Sequence, residues 1–121
     1  MNTASAKNKG RRLQKEIVQK ILNQFPDLTE RDISSRSMGA SGEDVLLSAA
    51  AIKKFPFSVE AKNQESLQIW KALLQAEENA NNLTPLLVFS RNRSKTYCCL
   101  EFDKFLNIIS ETSKHNEQKT N

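Results

Sequence analysis

GEDVLLSAAAIKKFPFSVEAKNQ, residues 42–64, holds two short apolar runs joined by a lysine-containing link, with acids at the margins of both runs. Val45-Leu46-Leu47 and Phe57-Ser58-Val59-Glu60-Ala61 read as neighbouring strands with a connection over residues 49–54. Asp44 opens the first strand, and Glu60 stands near the end of the second, sixteen residues later. Alternation along a strand sends Glu60 and Lys62 to one side and Val59 and Ala61 to the other. Two carboxylates held close in a low-dielectric setting repel each other. A divalent cation relieves that repulsion, and oxygen donors suit Mg²⁺ or Mn²⁺. A lysine two residues beyond can orient an attacking water or stabilise charge building on a phosphoryl oxygen. The triple Asp44, Glu60 and Lys62 therefore suits metal-assisted attack on a phosphodiester. Acid-x-Lys also occurs on solvated edge strands, so the surroundings must add weight. Phe55, Phe57 and Val59 set Glu60 beside a core, and Gly39, Gly42 and the serines ahead of Asp44 offer N–H groups to a phosphate.

Upstream, Leu13, Ile17, Ile21 and Phe25 recur every four residues, with Val18 and Leu22 widening the stripe. This spacing predicts an amphipathic helix over about Arg11–Phe25, ended by Pro26. Residues 27–43, including RDISSRSMGASG, open with a short strand at most and are otherwise loop. Downstream, Leu67, Trp70 and Leu74 predict a helix from Asn63 to about Ala80, which makes Trp70 a core residue. LLVFS after Pro85 and TYCCLEF read as strands about the polar turn RNRSK, and Phe105, Leu106, Ile108 and Ile109 mark a short closing helix over 103–110. Phe55, Phe57, Phe89, Phe102 and Phe105 are expected mostly in the core. Residues 1–8 are expected to form a disordered basic tail, 9–110 a single domain, and 111–121 a flexible polar tail. The fold class is α/β: a small central mixed β-sheet flanked by helices, in the order helix, two to three strands, helix, two strands, short helix. The helix between the Glu60 strand and the Pro85 strand is long enough for a crossover, so at least one parallel pair is expected.

The chain has 121 residues and a net charge of +4, enough for one domain with a modest core. Residues 1–20 carry Lys7, Lys9, Arg11, Arg12, Lys15 and Lys20 against the single acid Glu16, which suits a polyanionic partner. No apolar stretch is long enough to span a membrane, and the basic N-terminus has no apolar run behind it to make a secretory signal. The adjacent Cys98 and Cys99 cannot staple a fold, and with His115 alone they make no zinc site, so the chain reads as cytoplasmic. It has no P-loop, dinucleotide fingerprint or nucleophile elbow, and hence no expected nucleotide cofactor.

Gly42-Glu43-Asp44 followed by Glu60-Ala61-Lys62 resembles the signature of the PD-(D/E)XK nuclease superfamily, with Glu43 in place of the proline. The fuller arrangement is similar to archaeal-type and phage Holliday junction resolvases over roughly residues 9–109. In those enzymes a first-helix glutamate, a serine-rich loop, an aspartate and an E-x-K strand share one site. Glu16 matches the helix glutamate, Ser41 the loop serine near the scissile phosphate, and Arg36 the loop arginine. The resemblance implies a restriction-endonuclease-like fold, with Asp44, Glu60 and the carbonyl of Ala61 binding Mg²⁺, for which Mn²⁺ substitutes. Glu16 would reach that metal directly or through water. Lys62 would position or help deprotonate the attacking water, leaving a 5′-phosphate and a 3′-hydroxyl. It further implies a homodimer acting on branched DNA in recombination or repair, in the host cytoplasm if phage-encoded.

Candidate DNA contacts are Lys9, Arg11, Arg12 and Lys15 on the first helix, Arg36 and Ser41 in the loop, and Lys53 and Lys54 on the link. Gln64 either reaches the same site or belongs to the first turn of the following helix. The functional expectation is a metal-dependent endonuclease making paired nicks in branched DNA. The alternatives are a nicking or repair nuclease of the same fold, or a non-catalytic DNA-binding protein that would survive loss of Lys62.

Overall fold

A computed structural model describes residues 3–36 and 42–120. The elements are α1 (Thr3–Gln24), β1 (Ile33–Ser35), β2 (Val45–Leu47), α2 (Ala49–Lys54), β3 (Phe57–Asn63), α3 (Ile69–Glu78), β4 (Thr84–Ser90), β5 (Tyr97–Cys99) and α4 (Phe102–Thr120). β1 pairs antiparallel with β2, while β3, β4 and β5 form a mixed sheet in which β3 and β4 run parallel and β5 antiparallel. The parallel pair follows from α3, which returns the chain from the end of β3 to the start of β4. This is an α/β fold with a mixed sheet flanked by helices, consistent with restriction-endonuclease-like architecture.

Asp44 joins the two sheets. Its N–H donates to the carbonyl of Val59 at 2.8 Å, and its carboxylate Oδ2 accepts the N–H of Ala61 at 2.7 Å. One residue thus occupies two hydrogen-bonding positions on the edge of β3, and the strand behind it, β2, pairs away with β1. On one face of β3, Val59 and Ala61 pack in a cluster with Leu13, Ile17 and Ile21 of α1, Ile33, Val45, Leu86 and Val88. On the other face lie Ser58 and Glu60, beneath α3, whose buried side is Ala72 and Ala76. Ser58 Oγ donates to the carbonyl of Asn79 at the end of α3. Small alanines at i and i+4 let this helix approach the sheet closely enough for its C-terminus to meet β3.

Several sequence expectations are corrected. α1 begins at Thr3, so residues 3–8 belong to the helix and not to a loose tail; Thr3-Ala4-Ser5-Ala6 contains no breaker, and the turn gains support from the helix it extends. The connection over 49–54 is a helix, and the strands it joins fall in different sheets: Ser48 Oγ caps the helix by accepting Ala51 N–H at 3.1 Å, and three alanines open it. α3 starts at Ile69 rather than Asn63 because β3 continues through Asn63 in register with Ser90. Trp70 is 85% exposed, since the alanine face and not the Trp70/Leu74 face meets the sheet. The closing helix runs on to Thr120, so residues 111–120 continue it, and Phe102 and Phe105 are exposed on it and not in the core.

Candidate active site

The sheet seam brings Asp44 to Glu60. Glu60 is 3% exposed, and the two carboxylates are close enough to shift each other's titration. Asn79 Nδ2 donates to Glu60 Oε1 at 3.1 Å, and Lys62 Nζ stands 3.7 Å from Glu60 Oε2. Burial pushes both carboxyls above their ordinary range, and the Asp44 charge pushes Glu60 up further. Opposing this, the Ala61 N–H favours ionised Asp44, the Asn79 amide favours ionised Glu60, and the Lys62 ammonium acts on both. Even with Lys62 acting on both acids and Arg36 on Asp44, burial dominates at both carboxyls, and the site is short of positive charge. An oxygen-only donor set with that deficit fits a hard divalent cation. Among the described residues no group of three or more His, Cys, Asp or Glu gathers to hold a metal. The protein's share is then two carboxylates, which suits Mg²⁺, an ion that keeps several waters and takes substrate phosphate oxygens as ligands.

The approach to Asp44 is held by a clamp. Arg36 N–H donates to the Asp44 carbonyl at 2.9 Å, extending the β1–β2 ladder. Arg36 Nε donates to the Glu43 carbonyl, at 2.6 Å, and its guanidinium pairs with the Glu43 carboxylate at 3.2 Å. Gly42 takes φ +104°, and a Cβ there would come within 3.2 Å of the Arg36 guanidinium, so glycine serves both the backbone conformation and the close approach. Asn81, itself at φ +54°, donates from Nδ2 to Glu43 Oε2 at 3.2 Å. The loop after α3 thus holds Glu60 of the seam through Asn79 and Glu43 of the clamp through Asn81.

Asp44, Glu60, Ala61 and Lys62 are brought together as the spacing predicts. Glu16 is not: α1 lies over the Val59/Ala61 face, whereas Glu60 projects to the other, and Glu16 is half-exposed in an i,i+4 ion pair with Lys20 at 3.3 Å. Arg36 is engaged by Glu43. Ser41 and Gly39 lie outside the described residues. Arg11, Arg12 and Lys15 are exposed on α1, whereas Lys9 is half-buried one turn before Leu13, on the stripe side. Lys53 and Lys54 end α2, where the helix dipole favours cations, and Lys54 reaches Asp27 at 3.9 Å. Gln64 lies in neither helix. Its N–H donates to the Ser90 carbonyl, and its side chain shares with Lys62, Ser66, Gln68, Lys71 and Gln75 an open polar cavity of about 290 Å³.

Sequence reasoning missed Asn79, Asn81 and Gln14. Asparagine just past a helix end is a recognisable C-terminal signal, but its partner lies on another element and cannot be read from the helix. Gln14 is 6% exposed with an unpartnered Oε1, on the buried side of α1 between Leu13 and Ile17. Its place in the apolar stripe was the available clue.

A family model described as "Phage putative PDDEXK endonuclease" matches residues 5–121. The chain belongs to this family. No curated protein and no solved structure matches it. Membership makes nuclease chemistry the activity class against which the seam is read. In this member of the family Lys62 stands against the buried Glu60, while Glu16 is half-exposed on α1.

Proposed function

We propose that this protein is a Mg²⁺-dependent endodeoxyribonuclease that makes paired nicks in branched DNA as a homodimer, in the manner of a Holliday junction resolvase. The reading rests on the convergence of the half-buried Asp44 with the buried Glu60 as mutually repelling carboxyls, with Lys62 Nζ 3.7 Å from Glu60. Asp44, Glu60 and the carbonyl of Ala61 would hold the cation, which when bound supplies Lewis-acid polarisation of a phosphoryl oxygen and a more acidic water. Asp44 is fixed for this by the Ala61 N–H, and Glu60 by Asn79. Lys62 orients the water and stabilises negative charge on the non-bridging oxygen as the water oxygen bonds to phosphorus. The bond from phosphorus to the 3′-oxygen breaks, and that oxygen takes up a proton, giving a 5′-phosphate and a 3′-hydroxyl. Glu16 would join through water. Lys9, Arg11, Arg12 and Lys15 would hold DNA phosphates on the α1 side, with Lys53, Lys54, Arg36, Ser41 and Gln64 as further contacts, all independent of sequence.

Cleavage of a labelled four-way junction and a matching linear duplex, in Mg²⁺, Mn²⁺ and EDTA, tests this reading with Lys62→Ala alongside the parent. Paired, metal-dependent nicks on the junction should fall by at least ~100-fold in Lys62→Ala. Equal cutting of the linear duplex would replace the resolvase by a nicking or repair nuclease. No cutting of either substrate, with DNA binding unchanged in the variant, would leave a DNA-binding protein.

A further inference from the structure

The C-terminal helix leaves the body of the protein with an apolar stripe that none of the described residues covers. Phe102, Phe105, Leu106 and Ile109 recur at i, i+3, i+4 and i+7, Ile108 flanks them, and every residue from 102 to 116 is exposed. α3 carries a second uncovered strip, Trp70 and Leu74, on the side away from its alanine face. The two strips lie on adjoining elements. Leu73 and Glu77 of α3 share a cavity of about 190 Å³ with Leu100, Glu101 and Lys104 at the root of α4. At the other end of α3, Ile69 shares a cavity with Tyr97 of β5, and both are themselves exposed.

Together these side chains expose on the order of 1,000 Å² of apolar surface, well above the few hundred Å² tolerated on a monomer and close to the ~800 Å² each partner contributes to a stable interface. Charge identifies the occupant. The sequence of α4 holds Asp103, Glu111 and Glu117 against Lys104, Lys114 and Lys119, so the helix is neutral, whereas the phosphate-binding charge sits on α1. A neutral helix has no attraction for DNA, and it lacks the cationic polar face of a helix that lies on anionic lipid. An apolar face with balanced charges is complementary to itself. We propose that the outer side of α3 and the first half of α4 form a two-fold interface with a second copy of this chain. Each α4 packs its Phe102–Ile109 stripe against the partner, and the seam ends where Thr112, Ser113 and Asn116 replace apolar residues.

The interface requires no nuclease activity; only its consequence, two active sites acting on one branched substrate, rests on the function proposed above. The test is the mass of the full chain by light scattering and sedimentation, without DNA, for the parent and for Trp70→Glu/Phe105→Glu. The parent should have twice the 13.7 kDa chain mass, and the variant should dissociate at least ~30-fold more readily with its circular dichroism unchanged. Amide exchange on the unaltered protein provides a check that needs no variant: on dilution, exchange over 102–110 should accelerate while β3 and β4 stay protected. A parent that is monomeric, a dimer indifferent to the double substitution, or open-ended association would each overturn the proposal. A dimer that cuts no DNA would leave it standing and remove the nuclease reading instead.

Discussion

The two terminal helices have the same kind of sequence and opposite fates. α1 repeats Leu13, Ile17 and Ile21 at helical spacing and buries all three against the sheet, whereas α4 repeats Phe102, Phe105, Leu106 and Ile109 and exposes all four. Periodicity establishes that a helix has an apolar side. It does not say what covers that side. α1 reaches the Val59/Ala61 face because the first strands follow it and return the chain beneath it. α4 follows the short edge strand β5, and the sheet faces are already occupied by α1 and α3 when it leaves.

Paired truncations should separate the two helices most strongly. Ile17→Ala removes a buried side chain and should cost about 2–4 kcal/mol in urea unfolding. Ile109→Ala, measured at concentrations where the chain is monomeric, should stay within about 0.5 kcal/mol of the parent. Equal losses would mean that α4 is packed against its own chain in solution.

The comparison extends to charge. Asp44 and Glu60, in the half of the molecule that α1 and α3 cover, have carboxyls raised by burial. Their protonated forms are favoured by folding. The stability they contribute is therefore fully present below the ordinary carboxyl range of about 4 and is lost as pH rises through the raised values. In chelator at neutral pH, Asp44→Asn should raise the melting temperature by a few degrees (~3–5 °C), and the gain should vanish in acid. Added Mg²⁺ should stabilise the parent and not Asp44→Asn.

Asp32 gives the opposite sign. It accepts the Thr29 N–H at 2.9 Å and the Ser48 hydroxyl at 2.8 Å, which hold its carboxyl below the ordinary range. Its contribution is present above that range and is lost as pH falls through the lowered value. Asp32→Asn should flatten the acid limb of the stability profile measured by thermal melting. The smallest effect is expected at Glu16, where Glu16→Gln breaks an exposed i,i+4 pair worth about 0.2–0.5 kcal/mol. Unchanged stability with a large loss of cleavage would place Glu16 in the catalytic set.

The sequence by itself determined the order of elements other than α2, the amphipathic stripe of α1, the parallel crossover and the shared side of Glu60 and Lys62 on β3. Each follows from local rules: helical spacing, strand alternation, and a crossover length that permits one topology. The E-x-K alternation was legible because a strand has only two sides. Tertiary structure decided which face of each helix is covered, and it placed Trp70 and Phe105 in solvent, where the spacing alone gave them to the core. It also chose the partners of the site acids. Asn79 and Asn81 reach Glu60 and Glu43 only because α3 rests on alanines close to the sheet, and Glu16 misses the seam because α1 lies on the other face of β3. Spacing along a chain fixes directions within one element, whereas contacts between elements depend on how closely and on which side they pack, and only the assembled sheet specifies that.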